Sequence, residues 1–412
     1  MLAVVLFLGA LSAEVHGEPS QRATITWEEA LRRAQEAPTI ASARTAVRER
    51  RDLDERVGGL GNPEVELVAG VRKGELDQGF DGEVSVVQPI PLAPIGSERR
   101  KAARAETRLL DARTRALLLE RGLAVANAFC RLHAAERVRE EADRAVALAE
   151  EMVAAVERGR EAGAFTSQDV ALARVHAGEV RLALLEAEGE AFDLGVELGR
   201  TVQHAGPYPL ATEGPLPLSV LPPRESWAEA LAPDRLPPIL IPMLEAEAAR
   251  ARLREREVEG RAFWMGIGGT ALRESEERAL LGTVRFTIPL FERSLRERGQ
   301  LLAEARAQEG ASAEGRMAAA GLVASLVHEV EHTEEVHDLL RDALLPSSEE
   351  NLRLSRLAFE AGEQTLLEVL RAQEQVVDLR MRLHRAEAER ALARLRLALF
   401  LGALDGSTTD VK

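Results

Sequence analysis

Thr26-Trp27-Glu28-Glu29-Ala30-Leu31 recurs 200 residues on as Ser226-Trp227-Ala228-Glu229-Ala230-Leu231. Pro91-Leu92 recurs 198 residues on as Pro289-Leu290. Gly163, six residues ahead of Asp169-Val170, recurs 199 residues on as Gly362, six ahead of Glu368-Val369. Three landmarks in one order at nearly one offset make the chain a tandem duplication. Each half then reads as a helix, two short strands, a very long helix, a turn and a long return helix.

The joint between the halves shows in composition. Ten of the 18 prolines fall between Pro207 and Pro242. Proline has no amide donor and restricts its neighbour, so this stretch predicts an irregular connection lying on the helices. The boundaries expected are residues 1–17 for an export signal, 18–206 for the first repeat, 207–225 for the proline-rich linker, 226–403 for the second repeat and 404–412 for a disordered tail.

The helices exceed the usual three turns. From Glu98 to Val156 there is no proline, and Gly122 is the one glycine. That span makes a helix roughly 90 Å long, in a composition of Ala, Leu, Arg and Glu that favours helix. The matching helix starts near Ser294, meets Pro346, where a kink is expected, and continues to about Glu360. Val369, Val376 and Leu383 lie seven apart, beside Leu370 and Val377, which predicts a left-handed seam in the last helix. Alanines at 171, 173, 183, 372 and 391 lie in the expected seams and permit close approach. Two helical hairpins follow, with tips at about 157–166 and 358–365.

Four segments alternate in the manner of strands. Val65, Leu67, Ala69 and Val71 alternate with Glu66, Val68, Gly70 and Arg72, and Val84, Val86, Gln88 and Ile90 share one face. Phe263, Met265 and Ile267, then Val284, Phe286 and Ile288, repeat the pattern in the second half. Such segments fit either a soluble sheet lying on helices or transmembrane strands. In lipid, four strands cannot close and each unpaired edge group costs about several kcal/mol. The membrane reading therefore requires oligomerisation, and three chains would supply twelve strands.

Composition narrows the function. With 53 Lys+Arg against 68 Asp+Glu among 412 residues, the net charge is −15, which argues against general nucleic-acid binding. One cysteine, Cys130, excludes an intrachain disulfide or a Cys-cluster metal site. No apolar run is long enough for a spanning helix. Met1–Leu11 has the length of an export-signal core, with cleavage after Gly17. The competing reading is an apolar N-terminal helix.

Together these features resemble the TolC-like outer-membrane efflux proteins, the exit ducts of bacterial tripartite pumps and type I secretion systems. The resemblance runs from about Ile25 to Ala403. It is carried by Thr26–Leu31, Asn62-Pro63, Pro289-Leu290-Phe291, Phe359-Glu360-Ala361-Gly362 and Leu367-Glu368-Val369-Leu370-Arg371-Ala372-Gln373. Pro-Leu-Phe followed by Arg293 is similar to the heavy-metal efflux branch. The implied fold is mainly α with a small transmembrane β part: a homotrimer in which tandem helical hairpins form an α-barrel and four strands per chain share a twelve-stranded barrel. The implied function is a passive duct for substrates such as metal ions or drugs, without cofactor or chemistry. It would join a periplasmic adaptor and an inner-membrane transporter, and would sit in the outer membrane, extending into the periplasm.

The resemblance points to Asp169 and Glu368 as constricting carboxylates just past each tip glycine. Both also read as helix caps, in Thr166-x-x-Asp169 and Thr365-x-x-Glu368, and the two roles are compatible. Gly159, Gly163, Phe359 and Gly362 are the expected adaptor contacts, with helix termination as the alternative for the tip glycines Gly163 and Gly362. His328-Glu329-Val330-Glu331-His332 matches the H-E-x-x-H pattern of zinc peptidases. No third ligand or cleft accompanies it, so His328 and His332 read first as a solvated helix face and only weakly as metal contacts. Trp27, Trp227 and Cys130 read as packing residues. The competing functions are a periplasmic adaptor or scaffold and, remotely, a zinc peptidase. An adaptor needs one hairpin inside a β-rich domain, and this chain has two in tandem.

Overall fold

A computed structural model describes residues 23–73, 78–219, 221–224, 227, 236–274, 277–289 and 295–402. The expected export signal, the tail from 404, most of the repeated Ser226–Leu231 segment, and Leu290, Phe291 and Arg293 lie outside the described residues.

The elements run β1 (Thr24–Ile25), α1 (Trp27–Glu36), α2 (Pro38–Asp54), β2 (Glu64–Lys73), β3 (Gln78–Pro91), α3 (Ile95–Glu161), α4 (Ser167–Thr201) and β4 (Ala211–Thr212). They continue with α5 (Pro237–Glu259), β5 (Trp264–Glu274), β6 (Glu277–Thr287), α6 (Leu295–Leu339), a π-helical turn (Leu340–Leu344), α7 (Leu345–Glu360) and α8 (Leu366–Phe400). The return helices α4 and α8 each have 35 residues. No helix among the described residues is long and apolar enough to cross a membrane.

Two local expectations change. Pro237 and Pro238 are not part of an irregular connection but open α5, and Pro242 lies inside it. A first turn has no intrahelical partner for its N–H groups, so proline is tolerated there. Pro346 does not simply kink its helix. The chain widens ahead of it, and the Leu345 N–H donates to the Leu340 carbonyl five residues back. That π-turn absorbs the amide donor that proline lacks.

The residues group into two compact units. One takes in the described parts of Met1–Pro38, Leu118–Ala230 and Val323–Lys412. Its core gathers Trp27, Ala30, Phe129, Leu132, Leu194, Leu198, Leu210, Ala391 and Leu395. Trp27 meets Phe129 edge-on at 5.8 Å. Cys130 is buried in the same core, and desolvation pushes its thiol up to about 12, as fits a packing residue. The joint lies on α4, since added side-chain carbons at Gly195 and Gly199 would overlap Leu210, Pro209 and Tyr208. β4 pairs in parallel with β1. Of the five expected seam alanines, Ala173, Ala372 and Ala391 are buried, whereas Ala171 and Ala183 are exposed. Trp227 differs from Trp27: it is half-buried and donates to the Pro222 carbonyl, with Arg224 over its ring.

The other unit is formed by Thr39–Leu117 and Leu231–Leu322. Ala105, Leu109 and Ala112 of α3 pack on Leu244 and Ala248 of α5. Four antiparallel strands follow the order β2-β3-β5-β6. In this register Leu67, Val84, Ala271 and Leu280 form one cross-strand row. Val65, Leu67, Val71, Phe80, Val84, Ile267, Leu280, Val284 and Phe286 share that face and are exposed. On the other face Ser85, Val87 and Thr270 are buried, and the Thr270 and Thr283 hydroxyls bond at 2.8 Å. Arg285 of β6 reaches Glu64 and Glu66 of β2 at 3.4 Å. First and fourth strands of a flat sheet lie about 14 Å apart, so this pairing marks the side toward which the sheet curls. The sheet is thus inverted relative to a soluble one: its apolar face is exposed, and its buried side chains lie in the middle of the opposite face, at Ser85, Val87 and Thr270.

Candidate functional site

The hairpin tips are two copies of one local design. Glu161 ends α3 and Ser167 begins α4; Glu360 ends α7 and Leu366 begins α8. Gly163 and Gly362 have φ of +81° and +77°, a region that costs a residue with a Cβ. The Ala164 N–H donates to the Gly159 carbonyl and the Gly163 N–H to Arg160. Likewise the Glu363 N–H donates to Ala358 and the Gly362 N–H to Phe359. These crossed bonds satisfy the last carbonyls of each outgoing helix.

The return helices start from capping boxes. The Thr166 N–H donates to the Asp169 carboxylate at 2.8 Å, and the Asp169 N–H returns a bond to the Thr166 hydroxyl at 3.2 Å. The Thr365 N–H donates to Glu368 at 2.7 Å and its hydroxyl at 3.0 Å. The Thr166 hydroxyl, then its N–H, hold the Asp169 carboxyl below the usual range. The Thr365 N–H, then its hydroxyl, do the same for Glu368. Both groups are therefore anionic at neutral pH, and both lie at the third position of a helix where the dipole favours negative charge.

The tip residues divide into two kinds. Gly163 and Gly362 are exposed, with open space around each α-carbon. Gly159 and Phe359 are engaged within the protein. A side-chain carbon on Gly159 would overlap the ring of Phe165, and Phe165 stacks on Phe359. Beneath the rings lie Val156, Val170, Leu366 and Leu370. Phe165 escaped the sequence reading. Its signal is rarity, since the chain has only ten phenylalanines and two of them flank the tip glycines.

The H-E-x-x-H segment lies in α6. His328 and His332 are exposed, with ring centroids 5.7 Å apart. Glu329 pairs with Arg396 of α8, and Glu331 pairs with Arg224. A glutamate held by a guanidinium is a poor general base. No group of three or more His, Cys, Asp or Glu side chains able to hold a metal ion occurs among the described residues.

Residues 239–403 match the family described as outer membrane efflux protein. No curated protein matches the chain by sequence. Among solved structures, CusC, reported with conformational changes accompanying folding and transmembrane channel formation, shares 15% identity at a TM-score of 0.75, covering 95% of each chain. MtrE, an outer membrane channel of Neisseria gonorrhoeae captured in its open state, shares 18% at 0.69, covering 91% of this chain and 88% of its own. The outer membrane protein VceC of Vibrio cholerae shares 17% at 0.66, covering 91% and 96%. At these identities the structures speak for the fold.

Proposed function

We propose that this chain is a TolC-like outer-membrane efflux protein and performs as the exit duct of an efflux pump. The observation that carries the reading is the inverted sheet. Exposed Leu67, Val84, Val284 and Leu280 form a surface suited to lipid, and the opposite face holds buried Ser85 and Thr270 with Arg285 and Glu64 paired at its edges, groups suited to a wet interior. From Phe80 to the row of Ile90, Met265 and Phe286 there are ten residues along β3. At about 3.3 Å per residue and a tilt near 40°, that band is about 25 Å tall, the height of a barrel's apolar belt.

The chain assembles as a homotrimer. β2 and β6 end the sheet, and among the described residues neither has a second neighbour. Edges of this kind are not tolerated in lipid, so three copies close a twelve-stranded barrel. An apolar stripe on α4 (Val175, Leu182 and Leu185, each more than half exposed) is likewise left for a neighbouring copy. The tips meet a periplasmic adaptor through exposed Gly163 and Gly362, and an inner-membrane transporter supplies energy and selects the cargo. Three copies of Asp169 and Glu368 would put six carboxylates at the periplasmic mouth, favouring cations.

Cell fractionation with trimer migration before and after heating tests the assembly. A heat-sensitive trimer in the outer membrane is expected, and a soluble monomer would overturn the reading. In planar bilayers, Asp169→Asn with Glu368→Gln should reduce cation preference. Unchanged preference would leave these residues as caps alone.

A further inference from the structure

We propose that the groove between α3, α4 and α8 binds a small amphipathic organic cation, a protonated amine on a compact apolar body. The groove encloses about 260 Å³, and Ala142 and Ala145 of α3, Ala183 of α4, and Val377 and Met381 of α8 give it apolar walls. Its origin is legible in α4. Buried positions on that helix stop at Ala173 and resume at Ala187; Val180 and Leu184 between them are only half-buried, and the alanines facing the groove leave room.

Gln373 lies on the floor. It is 3% exposed, and its amide oxygen has no hydrogen-bond partner among the described residues. A buried acceptor without a donor is unfavourable, and on a residue that lines a groove it calls for a ligand that donates. Glu179 and Glu374 line the same groove and are both exposed. They have no ion-pair partner among the described residues. Asp378 is held by Arg382 of its own helix at 2.8 Å, and His176 completes the rim. Amide and carboxylate oxygens only accept, so the matching ligand is rich in N–H and positively charged. These side chains do not converge as metal ligands, which leaves an organic cation. The apolar walls suit a hydrocarbon body, in the usual division of a small-molecule site.

The probe is phenethylammonium, with phenethyl alcohol as its uncharged counterpart. Binding is followed by saturation-transfer NMR and calorimetry on the purified full-length protein. Saturable binding of the ammonium is expected, with the alcohol clearly weaker. Gln373→Leu and Glu374→Gln should each weaken binding by about fivefold or more. Glu374 is exposed, so its variant remains informative if Gln373→Leu fails to assemble. Unsaturable binding, equal binding of the alcohol, or affinities unmoved by both substitutions would overturn the proposal. Neither readout uses conductance or membrane location, so the groove can fail while the duct stands, and the reverse.

Discussion

Phe165 and Phe359 stack with ring centroids 5.9 Å apart and planes 11° from parallel. One ring follows the first tip glycine by two residues, and the other precedes the second tip glycine by three. Each hairpin therefore contributes one ring, and the pair fastens the two tips above Val170 and Leu370. Stacked aromatic pairs add about 0.5–1.5 kcal/mol beyond the area they bury. Phe165→Leu and Phe359→Leu should each raise amide hydrogen exchange at residues 162–166 and 361–365 together. In a double-mutant cycle the coupling should be about 0.5–1.5 kcal/mol. Additive effects confined to the mutated tip would mean the rings do not link the hairpins.

Gly159 and Gly163 should respond to alanine for different reasons. At Gly159 the obstacle is space, because a methyl group meets the Phe165 ring. At Gly163 the obstacle is the positive φ, with nothing nearby to strike. Gly159→Ala should therefore displace Phe165 and cost about 1–3 kcal/mol of local stability, and Phe165→Ala in the same chain should relieve most of it. Gly163→Ala should cost about 1 kcal/mol, with no relief from Phe165→Ala. Gly163→Asn should be milder, since asparagine visits the left-handed region. Local exchange rates of these five variants separate the two mechanisms.

Local chemistry was legible in the sequence, and distant pairing was not. Thr166 with Asp169 and Thr365 with Glu368 announce their caps because the bonds span three residues. The alternation of Val65, Leu67 and Val84 announces a two-faced strand because its period is two. Neither pattern shows that Arg285 reaches Glu64 and Glu66, some 220 residues away, or that Phe165 meets Phe359. Ala183 is a seam residue by type and is exposed on the groove instead. Small residues permit close packing, and equally they permit a gap, so their type does not choose between the two. Pro346 predicts a kink, and the structure answers with a π-turn instead. The π-turn that accommodates it begins at Leu340, six residues upstream, where the sequence carries no mark.

The capping carboxylates give the tips a defined acid sensitivity. Asp169 is held below its ordinary 3.8 and Glu368 below its ordinary 4.5 by their threonine partners. A carboxyl whose native value is lowered stabilises the fold above its unfolded value, and the contribution is lost as pH falls through the native one. Exchange at the tips should be flat above about pH 5 after correction for intrinsic rates, and should accelerate below about pH 4. The Asp169→Asn, Glu368→Gln double variant should open more readily at neutral pH and lose that acid step. A double variant with an unaltered acid step would assign it to other groups.

The outward face of the sheet is where the membrane reading is most exposed to test. Val84 sits mid-strand on the apolar face, opposite Leu67 on one side and Ala271 on the other. Its neighbour Ser85 belongs to the opposite face and is 3% exposed. An arginine near the midplane of a barrel's lipid face costs about 2–4 kcal/mol per chain, and a trimer carries the cost three times. Val84→Arg should therefore cut the yield of heat-sensitive trimer in the outer membrane several-fold. Ser85→Ala, which leaves the lipid face unchanged, should insert normally. In a soluble sheet the order reverses: Val84→Arg on an already exposed position is mild, and disturbing buried Ser85 is the costlier change. Comparing trimer yield and outer-membrane recovery for these adjacent variants decides between the two environments without knowledge of the cargo.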